Sequence, residues 1–238
     1  MYENLETNFY LFDLIFIYSV LANFISDHDL SFLNFHKILK VIKVMKIIKK
    51  IQVKKMNHVL ENIKNRRSVR QYKNEQIKGE EMDKILEAAT YAPTGGNDQP
   101  WHFTILQNED LINEINEGSK AVMREMDVEW IAQMGSTEEF NIFHRAPTVV
   151  IVSGRKDAVT PMVDCSAAVQ NMLLAAESMD IGSCWIGFAK FFFENPENMK
   201  KFNIPENYEV HFGVSLGYKV RENPQASERN KEVFNYFK

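Results

Sequence analysis

The chain of 238 residues carries a formal net charge of −4, with 45% hydrophobic and 25% charged residues, which is ordinary for a globular protein with a sizeable core. Its two cysteines, Cys165 and Cys184, form no CxxC motif and no disulfide framework, so a reducing, cytoplasmic location is expected. The six histidines lack metal-ligand spacing, so no metal site is expected. Neither GxGxxG nor GxxxxGK[ST] occurs, which excludes the signatures of a Rossmann dinucleotide site and of a P-loop.

The first 55 residues differ from the rest of the chain. Residues 9–25 are nearly all apolar, but this run is shorter than the ~20 residues of a membrane helix, and Asp13 lies inside it. An internal Asp costs roughly 2.5–3.5 kcal/mol on insertion scales. We therefore interpret residues 1–55 as an over-extended translation start, with the protein body at 56–238. A membrane tether is the alternative, and only in that case is a membrane partner expected.

Charge also separates the two parts. Residues 1–55 contain eight Lys and five acidic residues, a net of +3, which leaves −7 for residues 56–238. An acidic body repels phosphate backbones, so the sequence argues against a nucleic-acid partner.

Helical and strand patterns alternate along the body. After a short helix that begins near Met56, helical spacing predicts helices over 80–92, 109–126 and 164–180, and a short helix that begins at Pro196. Apolar and alternating runs predict strands over 101–107, 146–154, 181–188 and 208–219. This interleaving favours one layered domain with helices on both faces of a sheet. The tail ends in aromatic residues and is expected to dock on another subunit.

The stretch "NRRSVRQY", residues 65–72, is the first candidate site. In an extended chain the side chains alternate, so Arg66, Ser68 and Arg70 share one face. Guanidinium groups make bidentate contacts with oxyanions, which suits a phosphate or the pyrimidine edge of a flavin. A solvated basic patch is the alternative interpretation of this stretch alone.

The stretch "APTGGNDQPWHF", residues 92–103, is the second candidate site. Gly, Pro, Asn and Asp are typical of an ordinary turn. The same residues also suit a backbone surface that lies flat against a ligand, because glycine has no Cβ to keep the ligand away. The stretch alone leaves both interpretations open.

The combination is more specific than either stretch. "RRSVR", "APTGGN", "NMLLAAESMDIGSCWIG", "LGYK" and a late Arg, in this order, resemble the FMN-dependent nitroreductase family over residues 56–238. The resemblance implies an α+β fold, a three-layer α-β-α sandwich with a central mixed, mainly antiparallel sheet, and an obligate homodimer with FMN at its interface. No iron–sulfur cluster is implied.

The resemblance also implies an activity. Such proteins are NADH- or NADPH-dependent oxidoreductases that reduce small-molecule acceptors, such as nitro compounds and quinones, by ping-pong hydride transfer through flavin N5. A non-turnover flavin-binding or redox-sensing protein is the alternative. Dehalogenation and flavin breakdown, which also occur on this fold, form a third interpretation.

The site residues follow from the same resemblance. It implies that Arg229 binds the FMN phosphate, and no side chain is assigned a catalytic role. Relatives often have Pro after the late Gly-Tyr pair, where this chain has Lys219, and acidic residues surround Arg229. The other implied contacts with FMN come from the clamp Arg66, Arg67, Ser68 and Arg70, from the partner-facing loop residues Pro93, Thr94, Gly95, Asn97 and Gln99, and from the backbone of Ile186 and Gly187 near N5.

Overall fold

The computed structural model of the chain describes residues 42–43 and 57–238. Backbone contacts divide the chain into Met1–Asn57 and His58–Lys238, and the second unit carries the fold described below. Residues 1–55, apart from 42–43, lie outside the described residues, and so do the two hypotheses about them, an over-extended translation start and a membrane tether. Within the described part, no helix is long and apolar enough to cross a membrane.

A four-stranded sheet forms the centre of the domain. Its strands are β1 (Trp101–Leu106), β2 (Thr148–Arg155), β3 (Ile181–Ile186) and β4 (Tyr208–Tyr218), in the order β1-β2-β4-β3. All three neighbouring pairs are antiparallel. An isolated parallel bridge joins Ser68, which lies outside the four strands, to Ser183 of β3. The four predicted strands are confirmed, and their ends shift by two residues at most.

Helices cover both faces of this sheet, which confirms the α+β sandwich. On one face Val149 and Ile151 of β2 pack with Ile115, and on the other face Val150 and Val152 pack with helical residues such as Met172. The alternation within β2 is the reason, because successive side chains of a strand point to opposite faces. The helices are α1 (His58–Asn65), α2 (Gly79–Thr90), α3 (Glu109–Arg124), α4 (Glu129–Ser136), α5 (Pro161–Ser178) and α6 (Pro196–Lys201), with 3₁₀ turns at Gly95–Asn97 and Phe188–Glu194.

A β-bulge in β4 buries a histidine. Val152 pairs with Phe212 while Ser153 pairs with Val210, so His211 is the extra residue. His211 is only 6% exposed, and neither ring nitrogen has a hydrogen-bond partner among the described residues. A Cβ added to Gly154 would lie 2.8 Å from its Nε2. Burial lowers the pKa of His211; Glu209 opposes this shift and Lys190 adds to it.

We expect this histidine to make the protein less stable in mild acid. Its folded pKa lies below the ordinary 6.5, so the unfolded chain takes up the proton first, and the free energy of unfolding falls as pH drops through and below about 6.5. His211→Leu should show a smaller loss between pH 7.5 and pH 5.5, measured by urea unfolding. The exposed His58→Gln is the control and should retain the parental pH dependence. An unchanged pH dependence in His211→Leu would contradict this account.

Candidate functional site

The segment that follows α1 runs along the open edge of β3. The Arg66 N–H donates to the Asn62 carbonyl and closes the helix. The Val69 N–H then donates to the Ser183 carbonyl, 2.9 Å away, and Ser68 pairs with Ser183 in a parallel bridge. Backbone pairing therefore fixes which side chains of this segment face the sheet edge and which face away.

Arg66, Ser68 and Arg70 face the same group of β3, the thiol of Cys184. Burial raises the pKa of Cys184, while Arg70, a hydrogen bond from Ser68 and the charge of Arg66 oppose the shift. All three residues therefore lie near this thiol, and the shared face expected from strand alternation stays a prediction. The charge of Arg70 also reaches His144, whose pKa is lowered by burial first and by Arg70 second. Ser68 and Arg70 are exposed, so this cationic face is open to a ligand.

Arg67 points elsewhere and has a structural role. Its Nη1 donates to the carbonyls of Lys64 and Arg66, each at 2.7 Å, and its Nε donates to the carbonyl of Pro224 at 3.1 Å. The guanidinium thus caps the last turn of α1 and fastens the start of the C-terminal tail to it. A flavin contact by Arg67 stays a prediction, and it would have to share the side chain with these carbonyls.

The end of β3 leaves a gap in the surface. Gly187 follows Ile186 directly and is exposed, and a Cβ added there would have no atom within 4 Å. The φ of Gly187 is −86°, which any residue can adopt, so the chain itself does not require glycine at this position. The ring of Phe188, the next residue, lies 6.2 Å from the exposed ring of Trp130. An uncovered backbone beside aromatic rings suits a planar ligand.

The loop of residues 93–99 takes an unusual backbone path between α2 and β1. Gly96, Asn97 and Gln99 have φ values of 62°, 60° and 45°, which lie in the left-handed region. Among the described residues, no hydrogen bond or ion pair joins this loop to Arg66–Arg70 or to Gly187. Within the described residues, the two candidate stretches are therefore not joined by such bonds. The expectation that the loop serves the partner's flavin stays a prediction.

The C-terminal tail, residues 222–238, is held by hydrogen bonds at its start, which we call its root (Asn223 and Pro224), and is exposed at its end. The Asn223 Nδ2 donates to the Asn65 carbonyl at 3.0 Å, next to the contact between Arg67 and Pro224. Lys219, at the position where relatives often have Pro, is nearly buried and pairs with Glu177 at 3.1 Å. Residues 222–238 then form neither helix nor strand. Arg229 is exposed and donates to the Ser227 carbonyl, so its phosphate contact also stays a prediction.

Known proteins share this architecture and sequence. The family model described as "Nitroreductase family" matches residues 63–218. A protein of Archaeoglobus fulgidus named as an NADH dehydrogenase/NAD(P)H nitroreductase is 34% identical over 68% of this chain and 86% of its own. The iodotyrosine deiodinase of Thermotoga neapolitana is 28% identical over 73% and 94%, respectively. The crystal structure of a nitroreductase with bound FMN from Bacteroides fragilis superposes with a TM-score of 0.72 and 35% identity, covering 77% of this chain and 100% of that one.

Proposed function

This chain belongs to the nitroreductase family, and we propose that it is an FMN-dependent NAD(P)H oxidoreductase that reduces nitro compounds, quinones or similar small acceptors. One observation supports this function above all. The cationic face of Arg66, Ser68 and Arg70 runs along the edge of β3, and the same strand ends at the uncovered Gly187. A polar anionic group and a flat ring can therefore be held by one strand edge.

The residues present fit FMN. Its phosphate, ribityl chain and pyrimidine edge are polar or anionic, which suits guanidinium and hydroxyl groups at Arg66, Ser68 and Arg70. The missing Cβ at Gly187 leaves room for the edge of a ring to approach the peptide. When bound, FMN supplies hydride exchange at N5, and the protein supplies orientation and electrostatics.

Arg70 is the residue that we assign to the electrostatic role. Its side chain is exposed, and its charge lowers the pKa of His144 and opposes the rise in the pKa of Cys184, so it lies near both groups. A fixed positive charge there stabilises negative charge on the ligand's pyrimidine edge. Arg66 belongs to the same face, and we assign it to the polar groups of FMN that lie farther from the pyrimidine edge. No side chain is assigned a proton transfer.

We further propose a homodimer in the cytoplasm. The loop of residues 93–99 has no described contact with the clamp of its own chain, which suits a contact with the site of a second copy. In the single chain, α1 exposes Val59, Leu60 and Ile63, and the tail end exposes Phe234 and Phe237. Exposed apolar surface of this kind marks an interaction site. The two cysteines are free and buried, and a reducing compartment keeps thiols in this state.

The decisive test starts with the purified protein. We expect it to be yellow and to release FMN, not FAD, on denaturation. NADH or NADPH should bleach the bound flavin, and a nitroaromatic or quinone should restore the colour. A protein that stays colourless after incubation with FMN would overturn the assignment. Bleaching without restoration by any acceptor would favour a non-turnover flavin sensor.

A second activity has a specific observation in its favour. The similarity to the Thermotoga deiodinase covers 94% of that protein, so reductive removal of iodine from an iodotyrosine is the second candidate. The same acceptor panel separates the two activities. Reoxidation by 3-iodotyrosine with release of iodide, without reoxidation by nitroaromatics, would favour deiodination.

A further inference from the structure

We propose that Asp98 and Asp164 are positioning residues that together hold the loop of residues 93–99 in the shape that contacts FMN. The inference rests on the proposed function, because it assigns a purpose to a loop that is expected to meet the cofactor. We name the two carboxylates and their contacts the aspartate latch. Asp98 lies within the loop and accepts a hydrogen bond from outside it, whereas Asp164 lies on α5 and accepts a hydrogen bond from the loop.

Asp164 forms the inner half of the latch. It is 3% exposed, although it belongs to an otherwise apolar stretch of α5. Its Oδ1 accepts from the Gly95 N–H at 3.3 Å and from the Thr160 hydroxyl at 2.9 Å. A Cβ added to Gly95 would lie 3.0 Å from that hydroxyl, so the loop packs tightly on the start of α5. A buried carboxylate thus holds the backbone at the beginning of the loop.

Asp98 forms the outer half. Its Oδ2 accepts from the Val159 N–H at 3.0 Å, and its Oδ1 lies 3.5 Å from Arg155 Nη2. The backbone N–H of Arg155 in turn donates to the carbonyl of Pro100, directly after the loop, at 2.9 Å. Both ends of the loop are therefore hydrogen-bonded to residues from the end of β2 to the first turn of α5, namely Arg155, Val159 and Asp164.

The loop between these ties has a strained backbone. Asn97 and Gln99 carry side chains and yet adopt left-handed φ values, which L-residues disfavour. Such conformations persist only where the surroundings enforce them, and they gather at ligand sites. The hydrogen bonds within the loop are local and do not join it to another element. They run from the N–H groups of Asn97 and Gln99 to Thr94, from the Asp98 N–H to the Gly95 carbonyl, and from Gln99 Nε2 to Asn97 Oδ1 at 3.1 Å. The external carboxylates are thus the contacts best placed to maintain this shape before a ligand arrives, which lowers the ordering cost of binding.

The experiment compares three variants of the full-length protein. Asp98→Ala removes the outer half of the latch, while Asp98→Asn retains an acceptor for the Val159 N–H. Asp157→Ala is the matched control, because Asp157 pairs with the same Arg155 at 2.7 Å but is largely exposed and does not touch the loop. The measurements are the dissociation constant for FMN, from quenching of flavin fluorescence, and the thermal unfolding midpoint of the FMN-free protein.

We expect Asp98→Ala to raise the dissociation constant by roughly ten- to a hundredfold, the range of one lost charge-assisted hydrogen bond. Asp98→Asn should stay within about threefold of the parent, and Asp157→Ala should bind as the parent does. The unfolding midpoints of all three FMN-free proteins should agree within a few degrees, since Asp98 is partly exposed. Asp164→Asn, which also retains an acceptor, should bind FMN more tightly than Asp164→Ala.

Three results would overturn the proposal while leaving the proposed function intact. In the first, Asp98→Ala binds FMN as tightly as the parent. In the second, Asp157→Ala loses as much FMN affinity as Asp98→Ala does. In the third, Asp98→Asn binds FMN no more tightly than Asp98→Ala. A parent protein that binds no FMN would instead overturn the proposed function, and the aspartate latch with it.

Discussion

Gly187→Val is expected to slow the bleaching of bound flavin by NADH or NADPH by roughly a hundredfold or more, in protein fully loaded with FMN. The open space at this position is the reason. A Cβ built there meets no atom within 4 Å, so the chain can accept a valine, but its two methyl groups would enter the space that we assign to the reacting edge of the ring. Stopped-flow absorbance of the loaded variant measures the rate. The thermal unfolding midpoint of the FMN-free variant should stay close to the parental value.

Two further variants distinguish a loss of reduction rate from a loss of stability and from a loss of FMN affinity. Gly213, which pairs with Ile186 on the neighbouring strand, has little room, because an added Cβ would lie 3.2 Å from both Ala189 and the buried Phe143. Gly213→Ala should therefore lower stability, whereas Gly187→Val should lower the rate.

Arg229→Ala should weaken FMN binding by roughly ten- to a hundredfold and leave the rate at saturating FMN little changed. Normal reduction in Gly187→Val combined with slow reduction in Arg229→Ala would show that both residues are misplaced.

The sheet could be predicted from the sequence because its strands are short apolar or alternating runs bounded by turn residues. β2 is buried along its length up to Gly154 and reads as a continuous apolar run. Helix α4 was missed for the opposite reason. It has eight residues and exposes Trp130, so its helical periodicity is too short to recognise. The 3₁₀ turn Phe188–Glu194 was missed as well, because its consecutive Phe residues are buried on several sides and show no helical period.

The site was predictable where it depends on local geometry. Strand alternation predicts that Arg66, Ser68 and Arg70 share one face, and all three act on the pKa of the Cys184 thiol. The contacts of Arg67 were not predictable, because its Nε partner, Pro224, lies 157 residues away. The same holds for the bond from Gly95 to Asp164, across 69 residues. One signal was present in the sequence, since a lone acid within the apolar helix pattern of residues 161–176 indicates a buried carboxylate with a specific partner.

Truncation after Asn230 is expected to abolish both the dimer and tight FMN binding. The removed segment includes Phe234, Tyr236 and Phe237, which are 70%, 81% and 98% exposed in the single chain. Burying a large apolar side chain contributes roughly 1.5–3 kcal/mol, so two tails should change the dimer dissociation constant by at least about a hundredfold. Analytical ultracentrifugation at low micromolar concentration measures the assembly, and flavin fluorescence measures the binding.

The truncated chain separates the role of the dimer from that of the tail root. It keeps Arg229, and it keeps the root held by Asn223 and by Arg67 to Pro224, so a loss of FMN cannot come from removing these contacts. The full-length double variant Phe234→Ser/Phe237→Ser should behave like the truncation, because it removes the apolar surface alone. Lys238→Ser is the control and should remain a dimer with parental affinity for FMN. A truncated monomer that still binds FMN tightly would show that each chain builds its flavin site without a partner, and that the loop of residues 93–99 serves another purpose.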